Sequence, residues 1–177
     1  MADIMLKILI IGPSDSGKTS IANFLSESMN VEEAGTPRPT QGARILEFEL
    51  PHNVNERQRK VQIELWDCSG DHKFESCWPA VRVGIQGVIL VCSANTVNVA
   101  GREIELLYNY FVSQAKLSAK QCVVFYNCLD DQDDMDSLNL SPTFSKVSQV
   151  PVNIKTGGNR LKIDFSNFIT SVLQSIK

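Results

Sequence analysis

The sequence predicts an α/β fold, in which a mostly parallel sheet of about six strands carries one antiparallel edge strand and is flanked by helices. Residues 12–19 give the first indication, because their pattern G-x-x-x-x-G-K-[ST] belongs to phosphate-binding loops between a strand and a helix. Residues 88–91 and 122–126 are continuously apolar, which is typical of parallel strands covered by helices on both faces. Residues 44–50 and 61–67 alternate between apolar and polar side chains, which indicates a hairpin with one exposed face.

The elements are expected in the order β-α-β-β-α-β-α-β-α-β-α. An apolar run at residues 5–11 predicts the first strand, and residues 20–25 begin a helix that should end near Ser28. Residues 29–43 contain two prolines and two glycines, which favours an irregular loop before the hairpin.

Two later stretches place apolar side chains at helical spacing, and we expect both to face the core. The members are Ile104, Leu107, Tyr108, Phe111 and Ala115 in the first stretch, and Leu161, Phe165, Phe168, Ile169, Val172 and Ile176 in the second. A short helix should begin near Ser141, before the last strand. Since no repeat or linker divides the chain, residues 1–177 are predicted to form one domain.

Composition excludes several classes of function. The net charge of −3 provides no basic field for nucleic acid. No apolar run reaches the length of a membrane span. The five cysteines form no C-x-x-C pair and there are only two histidines, so a zinc site is not expected. We expect reduced thiols in a cytosolic compartment.

The segment Gly12-Pro13-Ser14-Asp15-Ser16-Gly17-Lys18-Thr19 is the strongest functional signal. Successive backbone N–H groups of such a loop converge on a polyphosphate, and the next helix directs its positive N-terminus to the same anion. Lys18 supplies a charge for the β- and γ-phosphates, and Thr19 supplies a hydroxyl for Mg²⁺. A chance match in a Gly/Ser-rich turn is the alternative, which the strand before the loop and the helix after it disfavour. The predicted nucleotide contacts here are Ser14, Asp15, Ser16, Gly17, Lys18, Thr19 and Ser20.

Further residues complete a nucleotide site. Asp67 ends a strand, where its carboxylate can hold Mg²⁺, and the N–H of Gly70 can reach a γ-phosphate. Thr40, in the Pro/Gly-rich loop, offers a second hydroxyl for the metal, with Thr36 as a rival. The predicted metal ligands are therefore Thr19, Thr40 and Asp67.

The end of the apolar strand at residues 122–126 carries candidate base contacts. Asn127 and Asp130 follow this strand, and a carboxylate accepts two hydrogen bonds from guanine that adenine cannot supply. This favours GTP over ATP, although an Asn/Asp-rich turn is the alternative because Asp130 begins an acidic stretch. Ile154 and Lys155 follow the last strand and are weaker candidates for closing over the base.

In this order and approximate spacing the motifs resemble the Ras-like small GTPases over nearly the whole chain. Residues 39–48 and 64–80 are similar, more narrowly, to the Rab-like subunit of intraflagellar transport complex B. The resemblance implies a small-GTPase-type P-loop fold, bound GTP or GDP with Mg²⁺, and a place in the cytoplasm and in the cilium or flagellum and its base. It implies coiled-coil subunits of that complex as partners rather than a membrane. The absence of a lipidation motif at either end agrees with this expectation.

Three positions depart from the family pattern. Asp71 stands where a Gln usually orients the attacking water, so it is a doubtful catalytic residue and we expect weak intrinsic hydrolysis. Cys128 replaces the usual Lys of the base motif, and Asp15 adds a negative charge to the phosphate loop.

The leading hypothesis is therefore a GTP-binding assembly subunit whose Thr40 loop and residues 67–73 are ordered by GTP–Mg²⁺. Phe74 and Trp78 are either exposed anchors of the docking surface or core residues. A GTPase that cycles with an activating protein is the alternative. A phosphate-loop kinase is disfavoured because no Arg-rich lid stretch is present.

Overall fold

The computed structural model describes residues 4–26, 39–54, 57–93, 97–128 and 140–176, with only the backbone described at residues 52–54, 57–59 and 97–100. One six-stranded sheet lies at its centre, with the strand order β2-β3-β1-β4-β5-β6. The strands are β1 Ile4–Ile11, β2 Ala43–Val54, β3 Arg57–Cys68, β4 Gly87–Ser93, β5 Cys122–Asn127 and β6 Ser148–Val152. The pair β2–β3 is antiparallel and every other pair is parallel, which confirms the predicted fold class.

Helices of very different length flank the sheet. The α-helices are α1 Lys18–Leu25, α2 Trp78–Arg82, α3 Val97–Tyr108 and α4 Ile154–Ser175. Short 3₁₀ helices span His72–Cys77, Ala119–Gln121 and Pro142–Lys146. The last of these is the short helix expected near Ser141. A π-helix, which has a wider turn than an α-helix, continues α3 at Asn109–Ser113. The sequence did not predict this change of helix type.

The sheet separates two apolar layers. Helices α1 and α4 pack on one face, where Ile21 of α1 and Phe165 of α4 meet the β1 side chains Leu6 and Ile8. Helices α2 and α3 lie on the other face. Strands β4 and β5 are buried along their whole length, because helices cover both of their faces.

The residues of the predicted helical stripes are buried except for Ala115, which is half-buried against the core, and Ile176. Ile176 is 41% exposed, because α4 ends at Ser175 and this side chain lies beyond its last turn. The expectation that Ile176 faces the core was therefore wrong. Among the described residues no helix is long and apolar enough to span a bilayer.

Candidate functional site

The phosphate-binding loop joins β1 to α1 at the carboxyl ends of the parallel strands. Gly17 has φ 87° and caps α1 in the left-handed conformation. Gly12 packs so closely on β4 that a Cβ there would lie 1.9 Å from the carbonyl oxygen of Val91. Glycine is therefore required at both positions, at the first by conformation and at the second by space.

Lys18 carries a buried charge within this loop. Lys18 is 6% exposed, and its Nζ donates one hydrogen bond of 3.1 Å to the carbonyl oxygen of Pro13. Burial lowers the pKa of Lys18, against the opposing effect of the Asp67 carboxylate. The hydroxyl of Ser16 is also buried, and the described residues offer it no partner. Within the described part of the chain, two donors of this buried ammonium and the Ser16 hydroxyl have no partner, which fits an anionic ligand such as a polyphosphate.

The three predicted metal ligands lie together. Thr19 Oγ1 is 3.0 Å from Asp67 Oδ2 and 3.0 Å from Thr40 Oγ1, while Thr40 Oγ1 is 3.4 Å from the same Oδ2. Hydroxyl and carboxylate oxygens are the donors that Mg²⁺ prefers. Burial raises the pKa of Asp67, whereas hydrogen bonding from Thr19 and the charge of Arg44 lower it. The residues present therefore fit a hard divalent cation.

Arg44 belongs to this cluster and was missed by the sequence analysis. Its Nη2 lies 3.1 Å from Asp67 Oδ2 and 2.6 Å from Asn23 Oδ1. The β2–β3 register sets Arg44 directly opposite Asp67. Paired residues of two antiparallel strands share a face, but the alternation of the hairpin does not fix which residues are paired, so the sequence carried no sufficient signal for this contact.

Gly70 brings the segment after β3 onto the phosphate-binding loop. A Cβ at Gly70 would lie 2.3 Å from the carbonyl oxygen of Gly12 and 2.6 Å from the backbone nitrogen of Ser14. Only glycine permits this approach, so the two backbone segments that the sequence assigned to phosphate contact touch each other. Ser14 and Asp15 are exposed at the crest of the loop, and Ser20 is half-buried in α1.

The carboxylate of Asp71 is occupied by protein contacts. It accepts a hydrogen bond of 3.0 Å from the backbone N–H of Lys73, which caps the 3₁₀ helix, and pairs with Lys73 Nζ at 2.9 Å. The hydrogen bond from the Lys73 backbone is the main cause that lowers the pKa of Asp71. At the position of the water-orienting Gln, this chain thus carries a helix cap.

The 3₁₀ helix at His72–Cys77 and helix α2 are fastened to α3 and its π-helical end. His72 contacts Glu75 and lies 3.6 Å from Glu103, and the Glu75 contact raises its pKa. The centroid of the Trp78 ring lies 5.2 Å from that of Tyr110 and 5.3 Å from that of Phe111. Trp78 is half-buried, as is Phe74, so each combines an apolar contact with an accessible surface.

The predicted base contacts are only partly described. Asn127 is 6% exposed, and its Nδ2 donates a hydrogen bond of 3.1 Å to the carbonyl oxygen of Ser16. This bond ties the end of β5 to the phosphate-binding loop. Ile154 and Lys155 begin α4, whose N-cap is Asn153. Asp130, like the rival metal ligand Thr36, lies outside the described residues.

Comparison with known proteins gives concordant matches. The family model described as "Roc: Ras of Complex, Roc, domain of DAPkinase" matches residues 7–130. The "Intraflagellar transport protein 22 homolog" of Homo sapiens is 41% identical over 96% of this chain and 91% of that protein. The homolog of Danio rerio is 37% identical over 97% and 91%. The "T. brucei IFT22/74/81 GTP-bound crystal structure" has a TM-score of 0.76 at 22% identity, covering 98% of this chain and 97% of that chain, a likeness of fold.

Asp15 should have two separable effects, one on polyphosphate binding and one on stability. Its carboxylate carries a negative charge in the phosphate-binding loop, and its backbone has φ 61°, a conformation that Asp tolerates better than most residues but that Gly adopts without a steric cost. We expect Asp15→Asn, which removes the charge alone, to tighten GDP binding about two- to fivefold, since the side chain is exposed. Asp15→Gly should tighten it at least as much and add roughly 1 kcal/mol of stability.

Titration calorimetry with GDP and chemical denaturation measure the two effects. An Asp15→Asn variant with wild-type affinity would show that the carboxylate is screened by solvent. An Asp15→Gly variant of unchanged stability would show that the left-handed backbone carries no strain.

Proposed function

The chain belongs to the intraflagellar transport protein 22 family of Ras-like GTPases, and from this premise we propose that it binds GTP with Mg²⁺ and serves as a subunit of the intraflagellar transport machinery. The observation that carries this proposal is the convergence on one loop of a buried ammonium and an oxygen-rich cluster. Lys18 has no anionic partner among the described residues. The oxygens of Thr19, Thr40 and Asp67 offer ligands to a metal ion beside the Arg44 guanidinium. A nucleotide triphosphate with its metal supplies both.

Each predicted residue has a role in this proposal. The backbone N–H groups of residues 14–20 and the ammonium of Lys18 hold the phosphates, and Gly70 adds an N–H beside them. Thr19, Thr40 and Asp67 hold Mg²⁺, which neutralises phosphate charge when bound. Asn127 fixes the phosphate-binding loop next to the proposed guanine pocket. Asp130, Ile154 and Lys155 are the proposed contacts to guanine. Residues 1–177 are proposed to work as a single domain.

We also propose that the bound nucleotide prepares a docking surface. The Thr40 hydroxyl contacts Thr19 and Asp67, so a ligand that binds these groups also positions the segment before β2. The partners we propose are coiled-coil subunits of the transport complex, by analogy with the IFT22/74/81 assembly. The half-buried rings of Phe74 and Trp78 suit anchors at such a surface. The protein would then act in the cytoplasm and the cilium.

Slow hydrolysis is the remaining part of the proposal. A water-orienting group must be free to contact the nucleophile, and Asp71 instead caps a helix and pairs with Lys73. An ionised carboxylate also cannot donate a hydrogen bond to the phosphate. GTP would therefore persist and act as a structural ligand.

Loss of the Lys18 charge should abolish nucleotide binding and weaken the partner complex. In Lys18→Met an apolar chain of similar length replaces the buried ammonium, so we expect GTP affinity to fall at least about a hundredfold, since removing one partner of a buried charge pair costs about 2–5 kcal/mol. Lys120→Met, at an exposed position, is the matched control.

Fluorescent GTP binding and co-purification with the two coiled-coil subunits are measured in parallel, with circular dichroism confirming that each variant folds. A folded Lys18→Met protein that loses GTP but retains the partners at wild-type level would contradict nucleotide-dependent docking.

Replacement of Asp71 tests the explanation for slow turnover. Asp71→Gln introduces a donor of sufficient reach and should raise the single-turnover rate of GTP hydrolysis about tenfold or more. Asp71→Asn is the control, because Asn also caps helices but is one methylene shorter. If Gln leaves the rate at the wild-type value, the missing positioning group is not the reason for slow hydrolysis.

A further inference from the structure

The guanidinium of Arg44 occupies the immediate surroundings of the proposed magnesium site. Its Nη2 lies 3.1 Å from Oδ2 of Asp67, the same oxygen that accepts hydrogen bonds from Thr19 at 3.0 Å and Thr40 at 3.4 Å. Asp67 is fully buried, whereas the Arg44 side chain is 41% exposed. One oxygen is thus shared by the groups assigned to the metal and by a permanent cation.

The position of Arg44 is set by the backbone. The register of the β2–β3 hairpin places Arg44 opposite Asp67, and the 2.6 Å bond to Asn23 Oδ1 holds the guanidinium against α1. Its Nε is buried without a partner among the described residues, so the protein accepts a cost to keep the group there. An arginine whose only role was solubility would extend into water instead.

From this geometry we propose that Arg44 is a resident counter-cation of the Asp67 carboxylate, which weakens Mg²⁺ binding and keeps the nucleotide site assembled when Mg²⁺ is absent. The inference rests on the proposed function, because it presupposes that Mg²⁺ and a nucleotide bind here. It concerns how strongly this chain depends on the metal.

The charge of Arg44 has opposite effects on the site with and without Mg²⁺. A guanidinium and Mg²⁺ near one carboxylate repel each other, so Arg44 lowers the affinity for the metal. Without Mg²⁺, a buried and uncompensated carboxylate beside the phosphates would be costly, and Arg44 compensates it. Arg44 thus lowers the affinity of the site for Mg²⁺ and stabilises the site when Mg²⁺ is lost.

The test compares wild type with Arg44→Gln in a magnesium titration of fluorescent GDP binding, followed by nucleotide release in EDTA. We expect Arg44→Gln to lower the half-saturating free Mg²⁺ concentration about tenfold, given a like charge removed from a few ångströms away. Release in EDTA should become faster. Arg44→Lys keeps the charge and should stay close to wild type in the magnesium titration.

Two controls separate charge from structure. Asn23→Ala removes a hydrogen-bond partner that positions Arg44 but leaves the charge of Arg44, so the half-saturating Mg²⁺ concentration should fall less than in Arg44→Gln. Arg160→Gln removes an arginine that pairs with the buried Asp164 on α4, outside the site, and should change neither measurement.

An unchanged or raised half-saturating concentration in folded Arg44→Gln would overturn the inference and leave the proposed function intact. If Arg44→Gln does not fold, a magnesium response of Arg44→Lys that departs from wild type would overturn it, since Lys keeps the charge. A wild-type protein that binds no guanine nucleotide at any Mg²⁺ concentration would overturn the proposed function, and the inference with it.

Discussion

The buried carboxylate of Asp67 is the constraint on which the site depends. At the end of β3 it is withdrawn from water, and it is held there by hydroxyls from α1 and the segment before β2 and by a guanidinium from β2. A buried negative charge is stable only with such partners. The same group therefore fixes three elements relative to one another and creates a place for a divalent cation.

Much of the fold follows from local sequence. The loop at residues 12–19, the apolar strands at 88–91 and 122–126 and the alternating hairpin each carry a pattern whose period matches one kind of element. Because parallel strands require crossover helices, their order along the chain limits the topology to few arrangements. Thr19, Thr40 and Asp67 lie together, and that all three ligate one metal stays a prediction.

Other features depend on contacts between distant residues and were missed. Arg44 reaches Asp67 only through the register of β2 on β3, which alternation alone does not fix. The capping role of Asp71 depends on a 3₁₀ helix that no periodic pattern in the sequence predicts. Ile176 continued an apolar period beyond the point where α4 ends. In each case spacing was read correctly, but a tertiary pairing or a helix terminus decided the outcome.

We propose that the site holds a guanine nucleotide and hydrolyses it slowly. To test this most directly, the purified wild-type protein is denatured and the released nucleotide is identified by ion-exchange chromatography. Slow hydrolysis predicts that the protein retains GTP. GDP would contradict slow hydrolysis and favour a cycling GTPase, and ATP would contradict the assignment of guanine to the pocket beside Asn127.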